Sequence, residues 1–461
     1  MEGLEIKEKL FSEIYRNKDF RIDSSFYTKE PRKSANLTYA KIGDYLIHSQ
    51  YGISINMNTD AVGYPIYRMN EIHNMLCDLD VDKYANITQD EYGKFALRNG
   101  DVLFNRTNSF EWVGRTGVYY QNDDISRTFA SYLVRLNPKD GLLPEYLCAY
   151  LNCKYGVWDI KRRARQSINQ TNVNPEEVKE IEIPLLSSGL QKQIQSCFIL
   201  ANSLRVQSKK VYSEAEAILH EELNIDNLEL VKTTITQKQF SDFVNSGRLD
   251  AEYYQPKYDE LFVTLRNFET KRLGDIVHID KSIEPGSAAY QDKGIPFIRV
   301  ANLSKYGISD TEIFLSSEEY KEVIRPKRDT ILLSKDGSVG IAYKVEQDMD
   351  VITSGAILHL IIIDKDFMPD YLTLVLNSSI VSMQAERDAG GSIIQHWKPS
   401  EIENVIIPKL SPQIQQEITD KVRESFMLRK ECLQLLELAK TAVEVAIEQG
   451  EDMAIKLLSE R

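Results

Sequence analysis

Gly63-Tyr-Pro-Ile-Tyr-Arg-Met-Asn-Glu-Ile72 and Gly294-Ile-Pro-Phe-Ile-Arg-Val-Ala-Asn-Leu303 keep glycine, proline, apolar residues and arginine in one order, 231 residues apart. A repeat at about half the chain length decides the fold, because a duplicated chain builds one unit twice. Working outward, Lys41-Ile-Gly-Asp44 matches Arg272-Leu-Gly-Asp275 at the same displacement of 231. Upstream, Phe11-Ser-Glu-Ile14 and Arg21-Ile-Asp-Ser-Ser-Phe-Tyr27 return as Phe240-Ser-Asp-Phe243 and Arg248-Leu-Asp-Ala-Glu-Tyr-Tyr254. Downstream, Tyr146-Leu-Cys-Ala-Tyr-Leu-Asn152 matches Tyr371-Leu-Thr-Leu-Val-Leu-Asn377, and Ile183-Pro184 matches Ile407-Pro408, where the displacement has drifted to 224. Matches kept in order with so little drift define two copies.

Each copy ends in a segment of different character. From Pro184 no proline follows until Pro256, and Leu190, Ile194, Cys197, Ala201, Leu204, Ser208, Val211, Ala215 and Ile218 alternate steps of four and three. That is a heptad stripe on a helix. Ser188, three residues before Gln191, has capping-box spacing at its start. The second copy has Ser411-Pro412, a cap residue followed by proline at the first helical position, and then no proline. Leu428, Cys432, Leu435, Ala439, Val443 and Ala446 carry its stripe. At ~1.5 Å per residue the first helix is on the order of 45 Å long, and the two stripes are expected to bury each other as an antiparallel coiled-coil spacer. The alternative is that each stripe packs on its own globular lobe.

Strand-like runs at 101–104, 131–136, 330–333 and 356–363 mix with helix-like stretches at 144–151 and 369–376, so the lobes are expected to be α+β. The expected layout is a first globular domain at 1–186, a spacer helix at 187–227, a second globular domain at 228–410 and a C-terminal spacer helix at 411–461.

The 461 residues, 42% hydrophobic and 27% charged, have the composition of a folded globular chain. No stretch approaches the ~18 consecutive apolar residues of a membrane span, and acids stand where a signal peptide would be basic, so a cytoplasmic location without membrane contact is the expectation. Five cysteines without a C-x-x-C pair read as reduced core thiols. The net charge of −13 opposes nucleic-acid binding only as an average, since a basic face can coexist with acidic helices.

No phosphate loop, dinucleotide turn, H-E-x-x-H helix or Cys/His metal spacing is present in the sequence, which reads as non-enzymatic with no metal or cofactor of its own. The polar chemistry it does carry is clustered. Gly100-Asp-Val-Leu-Phe-Asn-Arg-Thr-Asn-Ser109 runs from a strand into a loop with Asn105, Arg106, Thr107, Asn108 and Ser109, and Arg115 follows in Val113-Gly-Arg-Thr-Gly117. The second copy has Ser334, Lys335 and Ser338, with Lys335 placed roughly where Thr107 stands. Lys161, Arg162, Arg163 and Arg165 then lead into Ser167, Asn169, Gln170 and Asn172, and the matching stretch carries Ser392, Gln395, His396 and Lys398. Cations engage phosphates, and Asn or Gln can pair with adenine edges. Arg68 and Arg299 stand at equivalent places after their prolines and are further contact candidates. The bland reading of each is a polar turn, a solvated helix face or a brace for the fold.

At these residues the chain resembles the specificity subunits of type I restriction-modification systems. The likeness rests on the run into Gly100–Ser109, Ser167-Ile-Asn-Gln-Thr-Asn-Val173, the strands ending at Pro184 and Pro408 and the Gln-rich helix after each, and it covers nearly the whole chain. It implies two target recognition domains that each read half of an asymmetric bipartite sequence in double-stranded DNA. It further implies helices that fix the gap and dock two methyltransferase subunits, and a motor nuclease subunit that completes the complex. S-adenosylmethionine would then be held by the methyltransferase partners, and no catalytic residue by this chain. The basic run of the first copy is not reproduced in the second.

Two other readings stay open from residues alone: a two-lobed protein adaptor, and an enzyme using paired carboxylates such as Asp101 and Glu111. A subunit of another modification system is a third. For the spacer, Leu190, Ile194, Leu204, Val211, Ile218, Leu428, Leu435 and Val443 are the residues expected to carry helix pairing and partner assembly. Leu204→Asp is expected to abolish co-purification of a co-expressed methyltransferase subunit; retained assembly would remove the spacer reading.

Overall fold

The computed structural model describes residues 6–16, 20–28, 34–168, 170–225, 235–390 and 395–460. The chain divides into two compact units. One comprises the residues up to Gln207 with those from Leu428 onward, and the other runs from Ser208 to Met427. Each unit therefore holds one sequence copy and a length of both long helices.

In the first unit, Tyr39–Lys41 pairs antiparallel with Glu182–Pro184, which brings the two ends of the lobe together. The main sheet runs in the order Leu46–Tyr51, Leu133–Pro138, Val102–Asn105, Thr116–Val118, Leu76–Cys77, Ile72–His73. Val102–Asn105 is buried at every position, which is why its sequence is a continuous run and not an alternation. Helix Pro144–Asn152, opened by its proline, is anchored at both ends: Tyr146 donates its hydroxyl to the Pro184 carbonyl at 2.5 Å, and Asn152 Nδ2 reaches the Thr116 carbonyl at 2.9 Å.

The second unit repeats this set. Thr270–Arg272 pairs with Ile406–Pro408, and the main sheet runs Val277–Lys281, Ile357–Ile362, Ile331–Ser334, Ala342–Lys344. Tyr371 donates to the Pro408 carbonyl at 2.7 Å, and Asn377 Nδ2 to the Ala342 carbonyl at 2.8 Å. In both copies the Arg-x-Asp segment forms an ion pair with itself and reaches across to the end of a helix, Arg21 to the Arg163 carbonyl at 2.9 Å and Arg248 to the Asp388 carbonyl at 2.8 Å. The duplication is thus one hydrogen-bonding plan used twice in an α+β fold.

The long helices are Ser188–Glu222 and Pro412–Gln449. The first is capped by Ser187, not by Ser188: Ser187 Oγ accepts from the Leu190 N–H at 3.3 Å. Gln191 does not close a capping box. It turns into the lobe, where Nε2 donates to the Leu186 and Gly141 carbonyls at 2.9 and 3.2 Å and Oε1 accepts from the Leu143 N–H at 2.9 Å. Gln415 makes the same three bonds to Leu410, Asp366 and Met368. Ser411 caps the second helix, with Pro412 at its first position.

Leu190, Ile194 and Leu204 are buried in the first unit together with Leu428, Leu435 and Val443. In the second unit Val211 is buried and Ile218 partly buried. There Ser208 and Ser425 exchange hydroxyl-to-carbonyl bonds at 2.9 and 2.8 Å, and Lys421 meets Glu214 at 2.6 Å, so the helices run antiparallel. The second helix also packs on its own lobe, through Ile418 and Val422, and the far part of the first helix joins that same second-lobe core through Tyr212, Ala215 and Leu219. All five cysteines are free thiols and buried, and among the described residues no helix is long and apolar enough to cross a membrane.

His359 sits in the middle of the second main sheet, 3% exposed, with its Nε2 2.8 Å from Thr353 Oγ1. Burial pushes it down to about 4 from an ordinary value of 6.5. The unfolded chain therefore binds the proton first, and stability present above pH 6.5 is lost as pH falls toward 4. Urea unfolding between these pH values is expected to show that loss, and His359→Gln to reduce its slope.

Candidate nucleic-acid interface

Some of the polar residues singled out from the sequence come together where each main sheet ends. In the first lobe Val102–Asn105 continues into Thr107–Asn108, which pairs with Thr171–Asn172, which pairs in turn with Arg165–Gln166. The chain crosses between the last two strands through a turn in which Ser167 donates to the Gln170 carbonyl from both its N–H (2.8 Å) and its Oγ (2.7 Å). Arg165, Ser167 and Gln170 are exposed on this ribbon, while Asn169 lies outside the described residues.

Its backbone bonds recur in the second lobe. Arg106 N–H donates to the Tyr132 carbonyl and Val173 N–H to the Arg106 carbonyl, at 3.0 and 2.9 Å; Lys335 N–H donates to Ala356 and Trp397 N–H to Lys335, at 2.9 and 2.8 Å. Lys335 therefore occupies the place of Arg106, not of Thr107 as sequence spacing suggested. The cross-strand pair beside this cation has changed chemistry: Thr107 Oγ1 donates to Asn172 Oδ1 at 2.6 Å, whereas His396 Nδ1 lies 2.8 Å from Asp336 Oδ1. Burial raises the Asp336 carboxyl, but Lys335 and His396 outweigh it and hold the group below its ordinary value. Gln395 and Lys398 are exposed, Lys398 meets Glu401 at 3.2 Å, Ser338 is exposed, and Ser392 lies outside the described residues.

Other candidates are occupied inside the fold. Arg162 and Arg163 both bond Asp159 and lie over the Phe26 ring, with side chains 8% exposed. Their spacing from Asp159, three and four residues on one helix, is the sequence signal that foretells this. The solvated helix face that is the alternative reading of Arg162 and Arg163 is replaced by a buried clasp. Lys161 points its ammonium at the carbonyls of Phe110, Glu111 (2.8 Å) and Val113 (2.9 Å). Asn105 and Ser334 are fully buried at strand ends, Ser334 Oγ donating to the Ser338 carbonyl at 2.6 Å. Arg68 is tied to Glu71 and to Asp82, the latter at 2.8 Å, while Arg299 is exposed. Asp101 is buried, its Oδ2 against Arg135 at 3.1 Å and its Oδ1 accepting from Asn137 at 2.6 Å, so it braces the sheet.

Two cation–aromatic contacts and one exposed ring were not legible in sequence. The Arg106 guanidinium lies 5.1 Å from the Tyr51 ring centroid, that of Arg115 lies 3.3 Å from Trp112, and Phe110 stands 44% exposed on the loop between them. Burial pushes Arg115 down to about 10. Cations over aromatic faces beside exposed hydroxyls and amides form a surface able to hold phosphate and to touch base edges.

The type I restriction modification DNA specificity domain model matches residues 37–198 and again 266–426, one match per copy and together more than two thirds of the chain. The chain belongs to that family. It is 27% identical over 298 residues to the MjaIX type I restriction enzyme specificity subunit of Methanocaldococcus jannaschii, covering 59% of this chain and 60% of that one. A sequence from the same organism with the MjaX specificity-subunit designation is 30% identical over 156 residues, 33% of this chain and 36% of that one. The EcoKI specificity subunit of Escherichia coli K12 is 22% identical over 162 residues, covering 34% and 35%. The matched stretches thus span less than two thirds of these relatives. A solved S subunit from M. genitalium aligns over 93% of this chain and 98% of its own at 14% identity with a TM-score of 0.37.

Within this specificity domain, Arg163→Ala is expected to lower unfolding stability by about 2 kcal/mol, because it strips one partner from the buried Asp159. Arg165→Ala is expected to cost less stability than Arg163→Ala, since Arg165 is half exposed and Glu177, its partner at 3.6 Å, keeps Arg21 at 3.2 Å, and to reduce the slope of log affinity for DNA against log salt by about one. Urea unfolding and salt titration check the pair.

Proposed function

We propose that this chain is the DNA-reading subunit of a type I restriction-modification complex, each lobe recognising one half of an asymmetric bipartite sequence in double-stranded DNA. The observation that carries this is the specificity-domain match falling once on each copy of an internally duplicated chain. A duplicated chain offers two related reading lobes, and paired reading modules bind half-sites separated by a gap. The paired helices set that gap and dock two methyltransferase subunits, which hold S-adenosylmethionine and perform the chemistry; a motor nuclease subunit completes the restriction form. This chain contributes recognition and no catalytic group.

At the interface, Arg106 and Lys335 anchor phosphate at equivalent places, and Arg165 adds a phosphate contact on the first lobe. Ser109, Ser167, Gln170, Ser338, Gln395, His396 and Lys398 are the exposed polar groups available to DNA. The Thr107–Asn172 pair of one lobe and the Asp336–His396 pair of the other favour an asymmetric target over a palindrome, since the two lobes offer different donors at one backbone position.

Co-expression with the methyltransferase subunits of its own genome, followed by mapping of methylated adenines with and without this gene, tests the reading. An asymmetric bipartite motif whose methylation depends on the gene is expected. An unchanged methylation map would overturn it.

A further inference from the structure

The two lobes share their sheet register but not the loop that follows it. In the first lobe Asn105 N–H donates to the Arg115 carbonyl and Gly114 N–H to the Asn105 carbonyl, both at 2.8 Å. In the second, Ser334 N–H donates to Ile341 and Gly340 N–H to Ser334, at 3.0 and 2.9 Å. The same two bonds close a step of nine residues from Asn105 to Gly114 and of six from Ser334 to Gly340, so the first lobe carries three extra residues here.

Those residues are held from below. The Lys161 ammonium takes the carbonyls of Phe110, Glu111 and Val113 and lies 5.1 Å from the Phe110 ring centroid, leaving that ring 44% exposed. The position equivalent to Lys161 follows from the arginine clasps. Arg21 bonds the Arg163 carbonyl and Arg248 the Asp388 carbonyl, so two residues earlier Lys161 corresponds to Glu386. Glu386 binds Lys257 at 2.8 Å, and a carboxylate has no donors with which to gather carbonyls. The longer loop and its lysine occur together in one lobe and are both missing from the other.

We propose that residues 108–113 form a base-reading loop peculiar to the first lobe, that Phe110 is its apolar contact to a base edge, and that Lys161 is the positioning residue that fixes it. This rests on the DNA-reading role proposed above. Features common to both lobes cannot make the half-sites differ, whereas a braced loop found in one lobe can. The loop leaves the polar ribbon directly at Asn108, and an aromatic side chain beside cations is suited to a thymine methyl group in the major groove. Lys161 raises the precision of that contact by cancelling loop freedom before DNA arrives.

Selection of bound duplexes from a random-sequence pool by the full chain tests this, with sequence preference read separately for each half of the recovered motif. Phe110→Ala and Lys161→Met are expected to reduce preference at one or two positions of one half by about fivefold or more. The other half is expected to stay unchanged, as is the thermal unfolding midpoint of Phe110→Ala. Wild-type preference in both halves for Phe110→Ala, or an equal loss in both, overturns the loop assignment while leaving the DNA-reading role standing. Failure of the wild-type chain to recover any bipartite motif removes both. If Lys161→Met is too unstable to select DNA, Phe110→Ala decides alone, because its side chain is half outside the fold.

Discussion

The organisation of each lobe depends on a buried glutamine at the start of a long helix. Gln191 and Gln415, 4% and 1% exposed, each satisfy two carbonyls and one N–H of the lobe they adjoin. A buried amide with three good partners tolerates almost no rotation, because each bond lost would leave a desolvated group behind. The direction in which each helix leaves its lobe is thereby fixed by side-chain chemistry, not by the loop before it. The sheet and the ribbon at its end inherit that fixed frame through Tyr146 and Tyr371, whose hydroxyls hold the strands ending at Pro184 and Pro408.

Much of this was legible in sequence, because duplication makes weak signals count twice. The strands at 102–105 and 331–334 lie one residue beyond the runs read at 101–104 and 330–333, the proline-led helices start at Pro144 and Pro369, and the C-terminal helix read over 411–461 ends at Gln449, with a separate helix at Glu451–Ser459. The cap at Ser187 was misplaced by one residue, since a serine pair followed by glutamine fits the capping-box spacing while the amide in fact satisfies the lobe.

The candidate interface shows in the sequence as a cluster of polar residues, and much less of how each side chain is used is visible there. A run of four cations in five residues reads as a basic patch, yet two of them close on Asp159 and Phe26 and a third gathers loop carbonyls. Charge in sequence says nothing of the direction a side chain takes from a helix, and only the i, i+3 and i, i+4 spacing from Asp159 hinted at it. The correspondence of Lys335 with Arg106 likewise needed backbone hydrogen bonds, because Asp101 and Asp329 match by residue type but stand one residue apart in the sheet register.

The serine pair at the helix crossing has a consequence for alignment. Ser208 and Ser425 are each 1% exposed and satisfy one another where the two helices pair. Hydrophobic packing alone is nearly indifferent to a slip of one heptad, since leucine meets leucine again. With the serines present, such a slip would bury two hydroxyls against aliphatic side chains and leave both without partners. The pair acts as a vernier mark: it contributes little to how tightly the helices hold, and it leaves them a single position in which to do so.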